Sequence, residues 1–199
     1  MSQGEIFLTD RLKDSSWVLA HRQSQPFGRQ TGQVITYGAS YWMAQFRYEN
    51  LSEAGLRALS AWIARRQGSR VTFTAYRPSR ARPANGASSN SGLGISSVNT
   101  AASTVAMTGL SAALAPGDML SYFTAANGYY CGEVVSAGSI SSGAQTLTVS
   151  PAPVAANGTP QARVFQAVAE FQLEGQPQIT EPHDKRYAVS FSARQVERA

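Results

Sequence analysis

From Trp42 to Glu49 apolar and polar side chains take turns. Trp42, Ala44, Phe46 and Tyr48 fall on one side of an extended chain, and Met43, Gln45, Arg47 and Glu49 on the other. A period of two predicts a strand with one buried face. The period then changes. Ser52 is an N-cap residue, Leu51 and Leu56 bracket it as a hydrophobic staple, and Leu56, Leu59 and Ile63 recur on one helical face with Trp62 beside it. Gly68 is the stop signal. Arg57, Arg65 and Arg66 fall off the apolar face, and the last two suit the negative end of the helix dipole. Extended alternation resumes at Val71, Phe73 and Ala75, and an earlier strand is expected to end at Trp17-Val18-Leu19.

Alternation returns only near the end of the chain. Ala169, Phe171 and Leu173 oppose Glu170, Gln172 and Glu174, and Tyr187, Val189, Phe191 and Ala193 oppose Ala188, Ser190, Ser192 and Arg194. An isolated hairpin is marginal in water, so these strands are expected to complete the sheet begun upstream. Between the two blocks the apolar stretches are short: Thr104 to Met107, Met119 to Phe123, Tyr129 to Val135 and Thr146 to Val149. Pro116-Gly117-Asp118, Asn127-Gly128 and Ser142-Gly143 punctuate them as turns. Pro83 to Gly94 reads as a hinge.

Charge follows the same division. Residues 1–82 hold twelve Lys/Arg against five Asp/Glu, residues 83–162 hold none against two, and residues 163–199 hold five of each. The expected fold is therefore mainly β with one flanking helix. Residues 1–82 plus 163–199 would form a discontinuous β-sandwich, and 83–162 an inserted small antiparallel sandwich or barrel. With 199 residues, 43% hydrophobic, the chain can bury either one large core or two small ones. No apolar run reaches the roughly 18 residues of a membrane-spanning helix, and Met1 to Asp10 lacks the pattern of a secretory signal.

Candidate chemistry is sparse. The single cysteine, Cys131, has no partner for an internal disulfide and no zinc-ligand spacing, and reads as a small buried hydrophobe. Of the two histidines, His21 follows a strand and His183 lies in a turn, with no second histidine at ligand spacing. No GxSxG elbow, phosphate-cradling loop or complete dinucleotide fingerprint occurs. Asp118 sits in a turn composition without a second acid nearby. These residues point to no enzyme, cofactor or metal.

Two surface features remain. Arg65, Arg66, Arg70, Arg77, Arg80 and Arg82, interleaved with Phe73 and Tyr76, could grip single-stranded nucleic acid, or serve a protein interface where the guanidinium fork pairs with carboxylates. Phe73 shares its face with Val71 and Ala75, which favours core packing and disfavours nucleic acid. Tyr122, Tyr129 and Tyr130 could stack on sugar rings, although a tyrosine pair in a small sandwich is commonly half core. Hydrolysis would need two carboxylates, and the insert offers only Asp118 and Glu133.

The order of elements resembles the distal tail and tail-tip proteins of long, non-contractile bacteriophage tails. The resemblance is carried by Gly38 ahead of Trp42 and its strand, the helix of Leu56, Leu59 and Ile63, the strand of Phe73, and the turn Leu114-Ala115-Pro116-Gly117-Asp118. Gly132-Glu133-Val134, Leu147-Thr148-Val149-Ser150-Pro151, Phe171-Gln172-Leu173 and Tyr187 to Phe191 follow in order. It extends from about Phe27 onward and departs from the better-known members, whose galectin-like second domain follows the first. It implies a tail-tube-like β-sandwich in a ring, hexameric by the same resemblance, joining tail tube to hub at the virion tail tip after assembly in the host cytoplasm. The implied partners are further copies of the chain and the tail tube, hub and tape-measure proteins. In a ring, Ile6, Phe7, Leu8 and the arginines would be interface material.

Overall fold

The computed structural model describes residues 12–21, 23–24, 35–36, 40–66, 70–125, 128–156, 158–180 and 186–196. The chain is mainly β, with one helix against a five-stranded antiparallel sheet, the larger by residue count; a six-stranded antiparallel sheet and the two-stranded ribbon β2-β3 accompany it. Its elements run β1 (Leu12–Ala20), β2 (Gln23–Ser24), β3 (Ile35–Thr36), β4 (Tyr41–Leu51), α1 (Glu53–Arg65) and β5 (Phe73–Tyr76). They continue with β6 (Gly94–Asn99), β7 (Thr104–Thr108), β8 (Met119–Thr124), β9 (Gly128–Ala137), β10 (Gln145–Ser150), β11 (Ala162–Arg163), β12 (Val168–Thr180) and β13 (Tyr187–Gln195).

The larger sheet has the order β1-β4-β13-β12-β5, so strands from both ends of the sequence interleave. Register places Phe46 opposite Phe191, and Phe171 opposite Phe73. Both pairs lie on the buried face with Trp17, Trp42 and Tyr48. Helix α1 covers this face. Ser52 Oγ accepts from Gly55 N–H at 3.2 Å, Leu59 is buried, and Trp62 meets Phe73 edge-on at 5.1 Å. The helix stops at Arg66, whose amide bonds back to Ile63; Gly68 lies outside the described residues. Val71 is 37% exposed and does not join the Phe73 face in the core.

The six strands between form the sheet β11-β8-β9-β10-β7-β6, which closes on itself. Ile95 N–H donates to Pro160 O at 3.0 Å and Ala162 N–H to Leu93 O at 3.1 Å, joining the two outer strands into a barrel. Ile95, Val105, Met107, Leu120, Tyr122 and Leu147 fill it. Gln145, also buried, accepts from Leu114 N–H and donates to Leu114 O and Gly138 O, which anchors the loop before the Pro116 turn.

The two units meet along one flank of the barrel. Met119 and Cys131 point out of it into the core of the larger sheet, Trp42 Nε1–H donates to Cys131 O at 3.0 Å, and Val168 N–H to Ser121 Oγ at 2.9 Å. The expected hinge is itself fastened. Asn90 Oδ1 accepts from Val164 and Phe165 amides, both at 2.9 Å, Asn90 Nδ2 donates to Phe165 O, and Gln166 N–H donates to Ala81 O at 2.7 Å.

Candidate functional site

The expected arginine cluster disperses into distinct settings. Arg65 and Arg70 are exposed at the helix end and before β5. Arg66, contrary to the expectation of an outward side chain, is 7% exposed. Its guanidinium lies 4.4 Å from the Trp62 ring and donates to Thr72 O at 3.2 Å. Thr72 Oγ1 in turn donates to Glu170 Oε1 at 2.7 Å. Glu170 is 1% exposed, so the alternation that assigned it to solvent fails there. Arg77 pairs with Glu133 of the barrel at 3.8 Å, Arg80 donates to Gly117 O at 2.9 Å, and Arg82 lies 5.8 Å from the Phe165 ring. Gly117 has φ of 91°, a left-handed conformation suited to glycine, and a Cβ there would meet Arg80 Nη1 at 2.7 Å. Ile6, Phe7 and Leu8 lie outside the described residues.

The tyrosine expectation needs a correction. Tyr122 and Tyr130 are register partners inside the barrel, 0% and 4% exposed, and their hydroxyls donate to Val154 O at 2.6 Å and Pro151 O at 2.7 Å. Buried rings cannot stack on sugar. Period two sends their neighbours outward instead: Phe123, 47% exposed, meets Tyr129 edge-on at 5.1 Å. Burial pushes the Cys131 thiol and both inward phenols above their ordinary values. His21 Nδ1 is 2.7 Å from Ser40 Oγ at the surface, and His183 lies outside the described residues.

Asp118 is 4% exposed. Its two oxygens accept from Ala84 N–H at 2.7 Å and Ala115 N–H at 2.8 Å, a turn-fastening role. Among the described residues no group of three or more His, Cys, Asp and Glu could hold a metal ion. No helix among them is long and apolar enough to cross a membrane.

What the arrangement does create is a cleft of about 630 Å³ where the larger sheet meets the barrel. Trp17, Val18 and Leu19 of β1 form one wall, Val134 and Val135 of β9 another, and Arg77 and Arg80 border it beside Glu133. Val18 is 62% and Val135 56% exposed. Sequence patterning misses this site because its residues come from segments far apart; the one early sign was Val18, a large apolar residue on the polar side of its strand.

No protein-family model matches the chain, and no curated protein matches it.

Proposed function

We propose that this chain is a structural, non-enzymatic subunit that assembles with copies of itself, and that the assembly is the tail-tip ring of a bacteriophage implied by the sequence resemblance. One observation carries the self-assembly part: the larger sheet keeps an edge strand, β1, that pairs only with β4 among the described residues, and it borders a cleft flanked by exposed valines. Free edges and exposed apolar patches are interaction surfaces unless something blunts them. The phage context and the neighbours in the tail come from the resemblance alone. Native mass measurement of the purified chain, with antibody labelling of intact particles, tests the reading. A defined closed oligomer and label at the tail tip are expected; a monomer at all concentrations and unlabelled particles would refute it.

A second reading, sugar binding by the barrel, is favoured by the outward Phe123–Tyr129 pair. Nucleic-acid binding has less support, since Arg66 is buried and the arginines fall into separate settings.

A further inference from the structure

Strand β1 is not uniformly regular along the edge that has no partner among the described residues. Its register with β4 is interrupted between Leu12 and Asp14, where Lys13 also pairs with Glu49. Bulges and lysines are common devices against unwanted strand pairing. From Asp14 to Ala20 the register is unbroken, and this regular half runs into the cleft at Trp17, Val18 and Leu19. The cleft volume falls within the range of sites that hold a ligand. Its walls are indole and valine, and two guanidinium groups face one carboxylate, because Arg77 and Arg80 border it with Glu133. A free strand edge beside an apolar, net-positive cleft fits an extended polypeptide that adds main-chain hydrogen bonds, seats an apolar side chain and brings carboxylates.

In a ring each copy joins its neighbour through two different surfaces, so the complement of this cleft must lie elsewhere on the same chain. The sequence is net positive by five charges, which makes acidic apolar stretches scarce. Glu49, Asp118 and Glu133 already have partners within the chain. Glu5-Ile6-Phe7-Leu8-Thr9-Asp10 has three consecutive apolar residues between two carboxylates and no Lys or Arg. We infer that the β1 cleft of one copy receives the stretch Glu5–Asp10 of a second copy, added along Ser16–Ala20 with its carboxylates toward Arg77 and Arg80. This rests on the self-assembly reading and names the contact that would carry it.

The test is sedimentation velocity of the full chain over a concentration series, for wild type, Val18→Glu, Val18→Lys and the double variant Glu5→Lys, Asp10→Lys. Val18 is 62% exposed, so its replacement removes no core packing. Val18→Glu and the double variant should each weaken association at least tenfold, with Val18→Lys weaker in effect than Val18→Glu. An equimolar mixture of Val18→Glu with the double variant should associate more tightly than either alone, because the mixture restores opposite charge across the contact. If the variants associate like wild type, or the mixture is no tighter than its components, the inference falls while self-assembly stands. If wild type is monomeric throughout, a fluorescein-labelled peptide of residues 2–11 is titrated into it. Binding that Val18→Glu weakens tenfold retains the cleft contact and removes the assembly reading; no binding, or binding indifferent to Val18→Glu, overturns the cleft contact.

Discussion

At Asp118 a carboxylate that could suggest catalysis is consumed by the backbone. Its oxygens accept from Ala84 and Ala115, which ties the entry to the barrel to the turn before β8. Bonds to a charged acceptor contribute about 1.5–3 kcal/mol each, and removing the acceptor strands two donors. Asp118→Ala should therefore lower unfolding stability by at least about 2 kcal/mol in a urea titration, which a surface carboxylate would not. Tyr122 and Tyr130 give a second test. A phenol pushed up by burial contributes stability that is complete below the unfolded group's ordinary value of about 10 and is lost as pH rises past it, because the unfolded state ionises first. Wild type should lose stability above about pH 10 more steeply than the variant Tyr122→Phe, Tyr130→Phe. Cys131, fully buried with its thiol pushed up, should react with a thiol reagent at pH 8 only after denaturant is added.

Helix α1 is the element most fully legible in sequence, since cap, staple and apolar spacing all agree. Ser52→Ala should cost about 1 kcal/mol, and Leu59→Ala, at a residue 1% exposed, about 2–5 kcal/mol, both read by thermal or urea unfolding. If Leu59→Ala leaves the midpoint unmoved, the helix does not dock through that face. Strands β4 and β13 were legible for the same reason: one face is buried and the other is not. Where that premise fails, so does the pattern. Val168, Ala169, Glu170 and Phe171 are all buried, so polarity no longer reports direction at Glu170. Strands β6 and β11 give little signal, one being rich in Gly, Ser and Asn and the other only two residues long. Tyr129 and Tyr130 look alike in sequence, and only the alternation of their strand turns one out and the other into the core, the half-core setting common for such a pair.

At the scale of the molecule, the division of the strands into two sheets follows the distribution of charge. The lysine- and arginine-free stretch supplies the barrel apart from Arg163 at the end of β11, and its flanks supply the larger sheet. The contact between them was not legible: Met119 and Cys131 lie in apolar stretches of the insert yet join the core of the larger sheet, where Cys131 O accepts from Trp42 Nε1–H. Nor was the cleft, which exists only once β1, β9 and the Pro116 turn are brought together. Replacing residues 84–162 by a Gly/Ser linker should leave a chain that melts lower than wild type and binds more of a hydrophobic dye, since the excision uncovers the Trp42 end of the core. An unchanged melting temperature would show that the barrel adds no cover.

The fastened neck bears on the order in which the chain can fold. Strands β5 and β12 pair across an interval of roughly ninety residues, and closing so long a loop costs entropy that grows with the logarithm of its length. A barrel that has already closed holds Ala81 against Gln166 and Asn90 against Val164, so the interval left to close shrinks to about ten residues, a saving of about 2 kcal/mol. The inserted barrel then acts as a nucleus for the sheet that surrounds it, turning a distant pairing into a near-local one. All three tryptophans sit in the core of the larger sheet, whereas Tyr122 and Tyr130 sit in the barrel. Stopped-flow refolding followed by tryptophan emission should therefore slow markedly in Leu147→Asp, a change confined to the barrel core; an unchanged rate would mean that the larger sheet closes its long loop unaided.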